Sequence, residues 1–269
     1  MEKYSVLMSL YKNEDPRSFR TALESMINQS VQPDEIILVE DGPLTEELYA
    51  AVGEYEQYLQ IVVNEKNVGL GVSLNRGLLA CRNELVARMD TDDISEPDRC
   101  EKQLCFFEDH PDISILGGQI AEFINSRDNV VGKRIVPETD AELKKYMKKR
   151  CPFNHMTVMF RKTDIIKVGN YQDWFWNEDY FLWIRLAAEK YKFANLPDIL
   201  VYTRVGEDMY KRRGGKRYYL SEVGIQKLLL EKKMIGYGTY LMNCIKRLIV
   251  QILLPDSLRG WVFRKFARE

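Results

Sequence analysis

Leu85-Val86-Ala87-Arg88-Met89-Asp90-Thr91-Asp92-Asp93 runs from an apolar segment, broken only by Arg88, straight into three carboxylates. A short apolar run of this kind reads as a buried strand, so the acids fall at its carboxyl end. Residues 4–10, 35–39 and 59–63 are three further β-branched-rich runs and also read as buried strands. Helical spacing fills the gaps between them. Pro16 suits a first helical turn, with Phe19, Leu23, Met26 and Ile27 on one face, and Leu74, Leu78 and Leu79 repeat the pattern. Strand and helix alternate to about residue 110, which predicts an α/β fold whose parallel sheet is wound by crossover helices.

Ligands of such sheets bind at the carboxyl ends of the strands. That rule selects four loops: residues 11–14, 40–43, 64–71 and 90–93. In the last loop, Asp90, Asp92 and Asp93 are expected within reach of one point in space. Like charges that close raise one another's pKa unless a cation neutralises them, which implies Mg²⁺ or Mn²⁺ completed by water and substrate phosphates. An acidic turn capping the helix near Pro97 is the plainer alternative. Asp41, between Glu40 and Gly42, is placed to accept hydrogen bonds from a base or ribose. Asn67 and Asn75 add amides around Gly69 and Gly71, glycines that serve either a close backbone approach to a ligand or a tight turn.

Beyond residue 110 the alternation lapses. Residues 113–116, 119–124, 130–136 and 157–161 read as strands, 140–149 and 179–190 as helices, and everything after Gly215 as helical. A mixed sheet in the second half follows. Trp174, Phe175 and Trp176 either stack on a sugar ring or pack in the core. His155 either meets an acceptor or phosphate or is a packed structural histidine, and His110 is a turn residue.

Of the 269 residues 45% are hydrophobic and 29% charged, ordinary values for a globular chain. The net charge of -1 hides an asymmetry: residues 207–269 carry 14 Lys and Arg against 6 Asp and Glu, a local +8. The chain therefore divides into residues 1–206 and a basic, mainly helical region, residues 207–269. Lys211, Arg212, Arg213, Lys216 and Arg217 cluster around Gly214 and Gly215, a composition suited to phosphate. Trp261, Phe263 and Phe266 alternate with Arg259, Arg264, Lys265 and Arg268, which suits an anionic membrane surface; a solvated basic face is the rival reading. Five cysteines without a CxxC pair fit a reduced, cytoplasmic compartment. No secretion signal is expected at the start of the chain, and the apolar run 248–254 falls far short of the roughly 20 residues of a spanning helix.

Five motifs occur in order: Ser-Leu-Tyr-Lys-Asn-Glu from Ser9, Val-Glu-Asp-Gly from Val39, Asn-Val-Gly-Leu from Asn67, Ala-Arg-Met-Asp-Thr-Asp-Asp from Ala87, and Asn-Glu-Asp-Tyr from Asn177. With them the chain resembles the bacterial family-two glycosyltransferases of GT-A fold, over Ser5 to about Arg204. The resemblance implies a Rossmann-like nucleotide-binding half, a mixed-sheet acceptor half and a helical basic tail. It implies inverting transfer from a nucleotide-sugar, a UDP-sugar, in the assembly of capsular or O-antigen polysaccharide repeat units. Asp41 corresponds to the uracil-reading acid, with Asn67 and Arg88 at the nucleotide. Asp90 and Asp92 match the DxD pair that holds the divalent metal, Asp92 being the stronger ligand, and Asp179 matches the catalytic base, with Glu178 as its competitor. His155, Trp176, Arg212 and Arg213 are the candidate acceptor contacts. The acceptor implied is a saccharide on a lipid diphosphate at the inner face of the membrane; nucleic acid is not an expected partner. Ser9 and Glu40 depart from the proline and aspartate that many members carry.

Two other classes compete. Asp90-Thr91-Asp92 also resembles the haloacid-dehalogenase-type phosphatases, but those place their aspartates near the chain start and a Thr or Val where Ile94 stands. An inactive carbohydrate- or membrane-binding module sits poorly with so complete a set of acids.

Overall fold

The structure is a computed structural model that describes residues 2–206 and 215–254. Strand β1 (Tyr4–Leu10) lies parallel to β2 (Glu35–Glu40) on one side and to β4 (Leu85–Arg88) on the other, and β3 (Leu59–Val63) extends the sheet beyond β2. Helices α1 (Pro16–Ile27), α2 (Glu46–Gly53) and α3 (Leu70–Ala80) connect them. Asp15 caps α1 by accepting the Ser18 amide at 3.1 Å, with Pro16 in the first turn.

Alternation along β1 sorts its side chains into two cores. Tyr4, Val6, Met8 and Leu10 meet Phe19, Leu23 and Met26 of α1 and Leu48 and Val52 of α2. Leu7 points the other way, to Leu74 and Leu78 of α3. A Cβ on Gly77 would stand 2.4 Å from Leu7 Cδ1, so its missing side chain is what lets α3 lie against the sheet. Only β3 departs from the expected buried strands. It is the sheet edge, where Ile61 is 37% and Val63 65% exposed because no helix covers them.

The second half adds β5 (Ile94–Ser95), α4 (Arg99–Asp109), β6 (Ile113–Phe123), β7 (Val130–Arg134), α5 (Asp140–Met147), β8 (Met159–Arg161), α6 (Lys162–Lys167), α7 (Glu178–Ala188) and β9 (Lys192–Arg204). The order β3-β2-β1-β4-β8-β6-β9-β5, with β7 beside β6, makes one sheet of nine strands among the described residues. It is mixed as expected: β8 runs antiparallel to β4 and β6, while β9 runs parallel to β6. The runs 113–116 and 119–124 form one strand, whose register against β9 shifts around Gly117. There a Cβ would meet Asn195 Oδ1 at 2.3 Å, so the two glycines that break the apolar pattern admit the neighbouring strand. Strand β9 has no simple period, because Asn195, Pro197 and Asp198 interrupt it at those same irregularities.

Helices α8 (Lys216–Glu231) and α9 (Tyr237–Leu248) follow. Ile225 and Leu229 of α8 enter the same core as Leu74, Leu182 and Trp183, so the described part of residues 207–269 is packed onto the sheet's helical layer. No helix among the described residues is long and apolar enough to cross a membrane. Arg212 and Arg213, with Lys211, Trp261, Phe263 and Phe266, lie outside the described residues.

Candidate active site

A cavity of about 1430 Å³ opens where β1, β2 and β4 end, and Asp41, Asn67, Asp90, Asp92, Trp176 and Asp179 all line it. Four loops and one helix start, separated by up to 138 positions, thus reach one space. Sharp turns make this possible. Gly42 has φ of +87°, and a Cβ there would lie 2.5 Å from the Asn67 amide nitrogen, so only glycine lets the β2 loop touch the 64–71 loop.

Asp41 is the hub of that contact. Its Oδ1 accepts the Val68 amide at 2.7 Å and the Asn64 side-chain amide at 3.2 Å; its Oδ2 accepts the Gly69 amide at 3.0 Å and the Asn67 side-chain amide at 3.0 Å. A carboxylate held by four donors fixes the shape of this end of the cavity. Asn75, by contrast, is structural: it donates to the Tyr171 carbonyl at 2.9 Å and accepts from Asn170.

Arg88, expected at the nucleotide, is buried beneath the acids. Its guanidinium is buried, pairs with Asp90 and does not line the cavity, and its Nε and Nη1 find no acceptor among the described residues. Burial raises the pKa of Asp92, Asp93, Glu178 and Asp179, and the charge of Arg88 opposes that rise at all four. It serves as the common counter-charge of the site, a role that burial at the end of β4 makes possible.

The three carboxylates of 90–93 do not converge on one point. Asp93 turns into the core, where its Oδ1 accepts the Arg204 amide at 2.8 Å and its Oδ2 has no partner among the described residues; burial raises its pKa well above the usual range. Asp90 and Asp92 remain at the cavity. Burial, then the charge of Asp90, lifts Asp92 to about 6. No group of three His, Cys, Asp or Glu among the described residues forms a metal-sized cluster. Two mutually repelling carboxylates facing a polar cavity still fit an ion that takes its remaining ligands from water and a diphosphate, as Mg²⁺ and Mn²⁺ commonly do.

Asp179 stands in the first turn of α7. Its Oδ1 accepts the Tyr180 amide at 2.6 Å, and its Oδ2 faces the Cys151 thiol at 3.4 Å. Burial raises its pKa against these donors and Arg134. Its neighbour Glu178 is pushed up to about 8, by burial first and by Asp179 second. An acid whose pKa rises from 4.5 toward 8 holds its proton more tightly folded than unfolded, so its stabilising contribution is full below 4.5 and declines as pH rises through that window. Glu178→Gln removes the decline. We expect its Tm to be close to that of the wild type near pH 5 and to exceed it by several degrees at pH 8.5; equal Tm values at both pH values would show that Glu178 carries no such proton.

His155 is not at the cavity. Its Nε2 meets the Tyr171 hydroxyl at 2.9 Å, its ring lies edge-on to Trp183 at 6.0 Å, and burial drives its pKa well down, so it is the packed structural histidine. Trp176 lines the cavity, 51% exposed, stacked on Phe175 at 4.5 Å and held at φ of +55°. Trp174 also lines the cavity, but it is partly buried against α8, where it donates to the Ser221 carbonyl. Sequence reasoning missed Cys151, which touches Asp179 from 28 positions away, and the cations Arg134, Lys149, Arg150, Lys246 and Arg247 that line the same cavity. No local pattern marks these; they meet only through the fold.

The chain is similar to known proteins in sequence and in fold. Residues 5–168 match glycosyl transferase family 2. An uncharacterized glycosyltransferase of Haemophilus influenzae is 45% identical over 99% of this chain and 100% of its own length. A UDP-Gal:alpha-D-GlcNAc-diphosphoundecaprenol beta-1,3-galactosyltransferase of Escherichia coli is 39% identical over 99% of this chain and 97% of its own. In fold, the chain is similar to TarS 1-349 of S. aureus in complex with UDP-GlcNAc, with a TM-score of 0.68 at 17% identity over 97% of this chain and 78% of that one. The match over residues 5–168 decides against the phosphatase, and on these grounds the chain belongs to glycosyl transferase family 2 and has the GT-A fold.

Proposed function

We propose that this glycosyltransferase is metal-dependent and inverting, and that it moves a sugar from a UDP-sugar to a hydroxyl of a saccharide carried on a lipid diphosphate, at the inner face of the membrane. The observation that carries the reading is the meeting of Asp41, Asp90, Asp92 and Asp179 in one cavity. The Escherichia coli relative, aligned over nearly its whole length, is named for this donor and acceptor chemistry.

Asp41 and Asn67 hold the donor's base at one end of the cavity, and Arg88 fixes Asp90 from below. Asp90 and Asp92 would hold a Mn²⁺ or Mg²⁺ ion, which when bound supplies Lewis-acid neutralisation of the departing diphosphate. Asp179 accepts the proton of the acceptor hydroxyl as its oxygen bonds to the anomeric carbon. The bond from that carbon to the diphosphate oxygen breaks with its electron pair going to UDP, and attack from the face opposite inverts the linkage. Trp176 offers its exposed ring to the acceptor sugar.

Thermal shift tests the donor half. UDP with Mn²⁺ should raise Tm by several degrees, and either alone by much less, since an ion shared between carboxylates and diphosphate couples the two bindings. Release of phosphate from simple phosphoesters, or equal stabilisation by UDP with and without metal, would count against the reading.

A further inference from the structure

Helix α9 is amphipathic in the inverse sense. Its inward side is Tyr240, Asn243, Cys244 and Arg247, continued by Gln251, and these are held by polar contacts: Asn243 donates to the Lys148 carbonyl at 3.0 Å and Gln226 Oε1 at 2.8 Å, and Arg247 to Glu222 at 2.5 Å and the Lys149 carbonyl at 2.8 Å. The outward side of α9, together with that of the helical turn Ile249–Leu253 that follows it, is apolar. Leu241 and Ile245 are each 48% exposed, Ile249 45%, Ile252 39% and Leu253 66%. Water-facing helices of a globular chain show the opposite order, and a contiguous apolar stripe left outside marks a contact surface.

We propose that this face seats on an anionic bilayer, with α9 lying in the headgroup plane. Charge argues for that occupant. From Lys232 to Leu254 the sequence has no Asp or Glu, and beside the inward, Glu222-paired Arg247 it has three exposed cations, Lys232, Lys233 and Lys246, the composition of an interfacial helix on acidic lipid. A second copy of the chain is disfavoured, because a two-fold contact across this face would oppose the exposed Lys246 with its own equivalent. Position argues the same way. Lys246, Arg247, Val250 and Gln251 also line the cavity, so seating this face brings the cavity mouth to the level of lipid phosphates. The proposal rests on the lipid-linked acceptor reading for its purpose, but its test does not use an acceptor.

The full-length protein is sedimented with vesicles of phosphatidylglycerol and phosphatidylethanolamine, and with phosphatidylcholine alone. Wild type should pellet with the first and far less with the second. Leu241→Asp with Ile245→Asp should lower the partition coefficient by at least about tenfold, while the shift in Tm with UDP and Mn²⁺ stays as in the wild type. Ile252→Gln with Leu253→Gln should behave alike, which guards against a packing defect in one variant. Failure of wild type to pellet, equal pelleting on phosphatidylcholine, unchanged pelleting of both variants, or a wild-type dimer that the variants dissociate would each overturn the proposal. Loss of the UDP response in the wild type would instead sink the transferase mechanism and leave the vesicle result standing.

Discussion

Asp179→Asn should bind UDP with Mn²⁺ as the wild type does and turn over roughly 10³-fold more slowly, the size expected when a positioned general base is lost. Asparagine keeps the shape and can still accept the Tyr180 amide through its Oδ1, so the start of α7 should hold. What it cannot do is take a proton. The loss should therefore fall on kcat, with KM for the donor unchanged, because the side chain meets the acceptor hydroxyl rather than the nucleotide. The wild-type rate should rise with pH, with a midpoint above the usual carboxylate range, because burial raises Asp179. Should Asp179→Asn retain most of the activity while Glu178→Gln loses it, the roles of the two acids are exchanged.

Asp92→Ala should remove the dependence on metal together with the activity. A Lewis acid at the departing diphosphate contributes several kcal/mol, so its loss corresponds to a fall of roughly 10³-fold or more. Chelation of the wild type should give the same fall and Mn²⁺ should reverse it, whereas the variant should respond to neither. The raised pKa of Asp92, about 6, adds a sign. The ion competes with a proton for this carboxylate, so apparent metal affinity should weaken as pH falls through 6. Full activity of Asp92→Ala in the presence of a chelator would remove the metal from the mechanism.

The legible parts of this molecule are those that local physics dictates. Strands covered on both faces need unbroken apolar runs, so β1, β2 and β4 announce themselves; the loops after β2 and β4 deliver Asp41, Asp90 and Asp92 to the site, and the loop after the edge strand β3 delivers Asn67. Asp179 came from the resemblance, since an acid at a helix start has an ordinary explanation in the helix dipole. Strand β9 stayed hidden because its bends answer to Gly117 and Gly118, some 80 positions earlier. Arg88 was assigned to the nucleotide, yet only the burial of β4 turns it into the counter-charge below the acids. Asp93 is expected near the same point as Asp90 and Asp92 because sequence gives proximity along the chain and not the direction of a side chain. The inverted polarity of α9 was equally unreadable, since an amphipathic helix is the same string whichever side faces in.

The hydrogen bond from the Arg204 amide to Asp93 joins residues 111 positions apart, the acidic loop to the last residue of β9. A chain leaving the ribosome therefore carries Asp90 and Asp92 long before it has the strand that sets the loop they stand on. Contacts of such separation close late, after the local β-α units have formed. Nascent or truncated chains that stop short of residue 204 should be folded in part and chemically silent, so a nucleotide-sugar would meet no half-built enzyme able to hydrolyse it.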